Sequence, residues 1–247
     1  MDKRISPVYR NKMEFVSGYL PDKGELLDIG CGGGLYFFMY DDKGLNYVGV
    51  DPDKNFVSEK IMLGNAEKLP FEDSSFNCVV CADVMEHVDD PVLSIKEINR
   101  VLKKGGKLIL TTPNEKFPFV YDPINWIFNK AGIKIPIGLW AWGHRRLYTE
   151  ENIKELVENN GFTINHYEGR SRFLVAVTVG YLPYLTTYVV SPLLKKLGFK
   201  KKGEFKNNEN IEKSRVYRAY TKINNLDKKI FKKTSFINHC IVAEKIQ

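Results

Sequence analysis

The chain has few of the features that settle a sequence early. Four cysteines in 247 residues, Cys31, Cys78, Cys81 and Cys240, do not make the disulfide framework of a secreted protein. Cys78-x-x-Cys81 has the spacing of a metal or redox pair, but it lies in an apolar run that reads as a strand. Residues three apart in a strand face opposite sides of the sheet, so buried core thiols are the better reading. The N-terminal stretch Met1 to Pro7 contains no continuous apolar core of a signal peptide, and a cytoplasmic protein is expected. What remains, 43% hydrophobic and 27% charged residues, is ordinary for one α/β domain with a sizeable core.

Charge is also unevenly supplied. Between Lys195 and Lys233 there are 14 Lys and Arg against 4 Asp and Glu, so this segment exceeds the net +7 of the whole chain and the rest is slightly acidic. Just before it, Phe173 to Leu194 is a run of 22 residues without a charge. That is about the length of a membrane span, yet Gly180, Pro183 and Pro192 interrupt it and it falls between candidate strands. It reads as packed helices or as an apolar cover that touches lipid or admits an apolar substrate. An apolar face beside a basic segment suits an anionic membrane surface. RNA is the rival partner, because counterion release serves it equally well.

The chain is organised around Leu26-Leu27-Asp28-Ile29-Gly30-Cys31-Gly32-Gly33-Gly34, a strand feeding a glycine-rich turn, followed by a helix-like run from Leu35 to Tyr40. Glycines at 30, 32 and 34 permit positive φ and a close ligand, and the loop amides are expected to face that ligand. The dinucleotide fingerprint G-x-G-x-x-G needs a third glycine where this chain has Leu35. Asp28, two residues before the first glycine, aims a carboxylate at a cationic group. S-adenosylmethionine offers an α-amino group there and a nicotinamide cofactor offers none. Asp51, at the end of the next candidate strand, stands about 20 residues past the first glycine, the usual spacing for a ribose-diol partner.

Five stretches in order, Leu26 to Gly34, Val48 to Asp51, Gly64 to Phe71, Ser75 to Val80 and Leu102 to Gly106, resemble the successive motifs of class I S-adenosylmethionine-dependent methyltransferases. Within that superfamily the chain is most similar to the methyltransferase type 11 group, which includes ubiquinone and menaquinone biosynthesis enzymes. The similarity runs from about Gly24 to Glu168 and returns for the last strand. It implies a Rossmann-like, doubly wound seven-stranded α/β sheet in the order 3-2-1-4-5-7-6, mostly parallel with an antiparallel last strand. It also implies S-adenosyl-L-methionine as cofactor, held by Asp28, Gly30, Cys31 and Gly32 from the first motif and by Asp51 and Pro52 from the second. Asn65 would meet the adenine edge, Ala66 would leave room for the ring, and Ala82 would sit on the same edge of the sheet.

The rest of the chain is read as decoration of this single domain. Val8 to Leu20 is a leading helix with Phe15, Val16 and Tyr19 on its apolar side; it either packs on the sheet or brings Tyr9 and Arg10 to the site. Asp90-Pro91 starts a helix with an apolar stripe of Val92, Ile95, Ile98 and Leu102, which Gly105-Gly106 should stop before a fifth strand at Leu108 to Thr112. Thr149 caps another helix. Pro113 to Tyr148, irregular and rich in aromatics, is a lid over the acceptor or a packed excursion. Residues 170–234 are an insertion between the last two strands.

Methyl transfer from a sulfonium needs mainly alignment in a dry site, with a base only where the acceptor carries a proton of high pKa. His87, at the end of the fourth candidate strand, and His144, in the suspected lid, are the candidates for that base. His166 and His239 fall in strands and read as surface or packing residues. The acceptor is expected to be a small molecule or lipid-linked, with RNA the alternative; a non-catalytic protein that keeps the cofactor pocket is the third reading.

Overall fold

A computed structural model describes residues 7–115, 143–171 and 236–246, with five further positions between 222 and 230. Seven strands form one sheet: β1 (Glu25–Ile29), β2 (Asn46–Asp51), β3 (Ile61–Leu63), β4 (Phe76–Ala82), β5 (Leu102–Pro113), β6 (Phe162–Arg170) and β7 (Asn238–Lys245). Their order is β3-β2-β1-β4-β5-β7-β6, as the resemblance implies. Pairs from β3 through β5 are parallel, and β7 runs antiparallel to both β5 and β6. Helices α1 (Pro7–Tyr19), α2 (Phe37–Asp42), α3 (Pro91–Val101) and α4 (Glu150–Glu158) accompany them. Most of 113–148 and of 170–234, read above as a lid or excursion and as an insertion, lies outside the described residues.

Strand periodicity sorts the core into two layers. Leu27, Ile29, Val79, Cys81, Leu108 and Leu110 face one side and pack with Ile95 and Ile98 of α3 and Ile153 and Val157 of α4. Leu26, Cys78, Val80 and Ile109 face the other, with Phe15 and Val16 of α1 and Met39 and Tyr40 of α2. Cys78 and Cys81 therefore sit on opposite faces as buried free thiols. Each fully buried Leu or Ile contributes about 1.5–3 kcal/mol relative to exposure, and both sheet faces draw on it.

Local signals fix the helix starts. Asp90 accepts from the amides of Val92 and Leu93 with Pro91 in the first turn, and Thr149 accepts from Asn152 N. The end of α3 departs from expectation: the helix stops at Val101, Leu102 is already paired with Phe76, and Lys103 to Gly106 belong to β5. The register shifts between Phe76 and Cys78, so the extra residues form an irregularity in the strand, and the glycines serve that bend instead of ending a helix. Val92, expected on the buried stripe, is 42% exposed. Helix α2 begins at Phe37, two residues later than predicted.

The uncharged run 173–194 and nearly all of the basic segment fall outside the described residues. No helix among the described residues is long and apolar enough to cross a membrane.

Candidate active site

The parallel strands β1 to β4 all point their carboxyl ends to one edge, and the predicted residues Asp28, Asp51, Asn65 and Ala82 stand at or beside those ends. Between β1 and α2 the glycine turn has φ +64° at Gly30 and +53° at Gly32. At Gly32 an added Cβ would meet nothing within 4 Å, so the loop leaves open space there. The expectation that the loop amides face a ligand is corrected for four of them. Gly30 N donates to Val50 O at 2.8 Å, Cys31 N to the same carbonyl at 3.4 Å and Gly34 N to Cys31 O at 3.0 Å. Gly32 N donates to Asp51 Oδ2 at 2.8 Å. These four amides are spent on internal acceptors and are not presented to a phosphate.

Asp51 is the hub of this half. Its Oδ1 accepts from Asp53 N at 2.9 Å while Oδ2 holds Gly32, so both carboxylate oxygens are oriented at the mouth of the loop. Pro52 follows, exposed. Asp28 is only 1% exposed, and its Oδ2 accepts from Tyr40 Oη at 2.9 Å. Burial pushes its carboxyl up to about 7, the Tyr40 hydrogen bond opposing this and the Asp51 charge adding to it. Asp28 is thus more enclosed than a residue reaching into solvent for a cation. Cys31 is buried, and burial raises its thiol to about 12, far from a thiolate at neutral pH. Asn65 is exposed, with Oδ1 accepting from Glu67 N at 3.2 Å, whereas Ala66 is buried in the core layer that holds α3 and α4.

A second group of polar residues gathers where β4 and β5 end. Ala82 is half-buried, and Asp83 beside it has φ +58°, a left-handed conformation that costs a non-glycine residue about 1–3 kcal/mol. Asp83 is held by its own amide to Thr111 O at 2.9 Å, by Thr111 Oγ1 at 3.2 Å, and by an ion pair with Lys12 of α1. Burial alone would lower the Lys12 ammonium; the Asp83 carboxylate more than reverses this and holds it well above its ordinary value. Glu86 is fully buried, accepts from Thr112 Oγ1 at 3.0 Å through Oε2, and leaves Oε1 without a partner among the described residues. Burial first and the neighbouring Asp83 charge second push its carboxyl well above the usual range.

The segment 143–148 is docked onto this edge. Arg145 N donates to Glu86 O at 2.8 Å, Arg146 reaches the carbonyls of Val88 and Asp89, and Tyr148 Oη donates to Met85 O at 2.9 Å. His87 and His144, predicted separately, are brought together with ring centroids 4.9 Å apart. His87 Nδ1 lies 3.2 Å from Gly143 O, and His144 Nδ1 is buried without a partner among the described residues. Burial, then the His87 ring, lower His144 to about 4. His166 stacks on Tyr19 and Phe15, and His239 bridges Tyr148 O and Tyr167 Oη at 2.8 Å each, so both are packing residues as expected.

Lys12 and Glu86 are the site residues that sequence reasoning missed. Lys12 sits three and four residues before Phe15 and Val16, so its helical spacing already put a lysine on the buried face. From α1 it is Lys12, lying over the Tyr9 ring at 4.7 Å, that meets the strand ends. Glu86 had no comparable signal beyond being a charge in the apolar stretch Val84 to Val88.

Comparison with known proteins agrees with this architecture. A family profile described as a methyltransferase domain matches residues 1–167. The mitochondrial ubiquinone biosynthesis O-methyltransferase of Rattus norvegicus is 27% identical over 195 residues, which cover 68% of this chain and 54% of that protein. The chain spans about half the length of such curated relatives. Among solved structures, the phosphoethanolamine N-methyltransferase 2 of Haemonchus contortus in complex with S-adenosyl-L-methionine superposes with TM-score 0.57 at 18% identity, covering 97% of this chain and 53% of that one. The [4+2]-cyclase SpnF superposes equally well, TM-score 0.57 at 19% identity over 94% and 80% of the two chains. At such identities the likeness is one of fold. Profile, strand order and glycine-loop motif together make this chain a member of the S-adenosylmethionine-dependent methyltransferase family with the class I fold.

Proposed function

We propose that the protein binds S-adenosyl-L-methionine along the carboxyl ends of β1 to β3 and transfers its methyl group to a small-molecule acceptor at the ends of β4 and β5. The observation that carries this reading is the glycine loop, open at Gly32 yet with its amides engaged and Asp51 clasped at its mouth. A phosphate-bearing nucleotide finds no amide nest in those four groups. An adenosine without phosphates finds a carboxylate for its ribose diol in Asp51. In this reading Asp28 faces the methyl donor's ammonium, with Gly30, Cys31 and Gly32 bordering its methionyl part. Pro52, Asn65 and Ala66 border the ribose and adenine, and Ala82 lies under the reacting end.

Catalysis then rests on alignment in a site sheltered from water, because the sulfonium is already an activated electrophile. His87 and His144 stand where an acceptor would lose its proton. The rat relative is named for O-methylation in ubiquinone biosynthesis; carried to this chain, that makes a hydroxyl oxygen the acceptor atom. Calorimetric titration of S-adenosylmethionine into the protein tests the donor half: Asp51→Ala and Asp28→Ala should each weaken binding, and unchanged affinity in both would reject the assignment. Incubation with methyl-labelled donor and fractionated extract tests the rest, since label entering RNA and not small molecules or lipids would overturn the acceptor class.

A further inference from the structure

Tyr40 is fully enclosed, on α2, in the core layer that also holds Phe15 and Val16 of α1. Its ring lies 5.2 Å from that of Tyr47 and 6.0 Å from that of Phe37. A buried phenol needs a hydrogen-bond partner, and Tyr40 Oη donates to Asp28 Oδ2 at 2.9 Å. Phenylalanine would fill this place equally well if packing were all that the residue supplied.

The partner is a carboxyl only 1% exposed. Strand parity puts Asp28 on the face of Leu26, toward α1 and α2. Tyr40 engages Oδ2 and so fixes the carboxyl plane, leaving Oδ1 without a hydrogen bond among the described residues. The titratable groups that interact with Asp28 are Tyr40 from α2, Tyr36 just before that helix, Asp51 from β2, Cys31 from the glycine turn, and Cys78 and Cys81 from β4. None of these is a cation. An enclosed carboxylate with such neighbours takes its counter-charge from a ligand, or else takes up a proton.

We propose that Tyr40 is a positioning residue for the methyl donor: its hydroxyl holds Asp28 Oδ2, turns Oδ1 to the donor's α-ammonium and favours the ionised carboxylate over the acid. This rests on the reading above that Asp28 faces that ammonium. The phenol hydrogen occupies Oδ2, so a proton carried by the free protein sits on Oδ1, where the ammonium must go. The two exclude each other, and binding releases the proton to solvent. Burial pushes the Asp28 carboxyl up to about 7 even with Tyr40 opposing it, so the exchange falls near neutral pH. Without the hydroxyl the ionised form loses a charge-assisted hydrogen bond, and the exchange moves up by about one pH unit.

The test is calorimetric titration of the whole chain with S-adenosylhomocysteine, which carries the same α-ammonium without the sulfonium. It is run at pH 6, 7 and 8 in buffers of different ionisation heat, so that affinity and proton release are both read. Wild-type affinity should rise about tenfold from pH 6 to pH 8, with about half a proton released at pH 7. Tyr40→Phe, which keeps the ring, should bind about ninefold more weakly than wild type at pH 6 and within about twofold of it at pH 8, releasing nearly one proton at pH 7. A loss of equal size at every pH, with proton release unchanged, would mean that Tyr40 only packs and would overturn the proposal. A wild-type affinity that is flat from pH 6 to pH 8 with no proton released overturns it without any variant, while leaving the cofactor pocket itself in place. Wild type that binds no S-adenosylhomocysteine at any pH would remove the methyl-donor reading, and the role of Tyr40 with it.

Discussion

The two halves of the cleft edge are built on different principles. The β1–β2 half is short-range: Asp28, the glycine turn and Asp51 lie within 24 residues, and the hydrogen bonds described for them close within that stretch or two residues beyond it, at Asp53. The β4–β5 half is assembled from Lys12, Asp83 to His87, Thr111, Thr112 and His144, and it retains a left-handed aspartate and buried atoms that have no partner among the described residues. The first half is settled before anything binds. The second holds unmet polar demand that a ligand can satisfy, which is the usual mark of a place where chemistry varies between members of one fold.

Substitutions can break this contrast or sharpen it. The largest effect is expected for Asp28→Asn. Between about pH 4 and pH 7 the native carboxyl keeps a proton that the unfolded chain has released, so wild-type stability falls as pH rises through that window and is level above it. The amide removes this cost. Denaturant unfolding should therefore show the variant gaining up to about 4 kcal/mol at pH 8 and nothing below pH 4. The same proton makes wild-type affinity for the ammonium-bearing methyl donor rise from pH 6 to pH 8, and a pH-independent affinity would mean that Asp28 does not meet that ammonium.

Asp51→Ala comes next, with S-adenosylmethionine affinity expected to fall about 100-fold, in line with the loss of charge-assisted hydrogen bonds. Melting temperature should move little by comparison. A large loss of stability with affinity retained would reverse the roles given to the two halves. For Lys12→Met, urea unfolding should show a loss of about 1–3 kcal/mol, because Asp83 is left without its partner but is not fully enclosed. Turnover should drop while methyl-donor affinity holds; equal damage to both would tie α1 to the methyl-donor side as well. Smallest is Thr149→Ala, which removes the cap of α4 and should cost about 1 kcal/mol with no change in either activity or binding.

The difference between the halves also explains what the sequence could disclose. Strands β3 and β4 are legible in the sequence itself, as the apolar runs Ile61-Met62-Leu63 before Gly64-Asn65 and Phe76 to Ala82. The sheet order followed from the motif resemblance and not from periodicity. The start of β5 was misread because Leu102 continues the i, i+3, i+4 spacing of α3 and the two glycines resemble a helix stop; only pairing with Phe76 shows that the chain has already turned into the sheet. Asp28 and Asp51 were legible because local spacing defines them. Lys12 and Glu86 were not, because their significance comes from partners 71 and 26 residues away. His87 and His144 were found singly, and only the docking of 143–148 onto Glu86 and Met85 makes them neighbours.

The glycine turn has one more consequence. Adenosine triphosphate and the nicotinamide dinucleotides share their adenosine with the methyl donor and are abundant competitors for any pocket that recognises it. A turn that spends the amides of Gly30, Cys31, Gly32 and Gly34 on the carbonyls of Val50 and Cys31 and on Asp51 keeps those four donors from the phosphates of such rivals. The Asp51 carboxylate at the same edge repels them. If the methyl donor sits here as proposed, its selection over the commoner nucleotides rests on what the loop withholds.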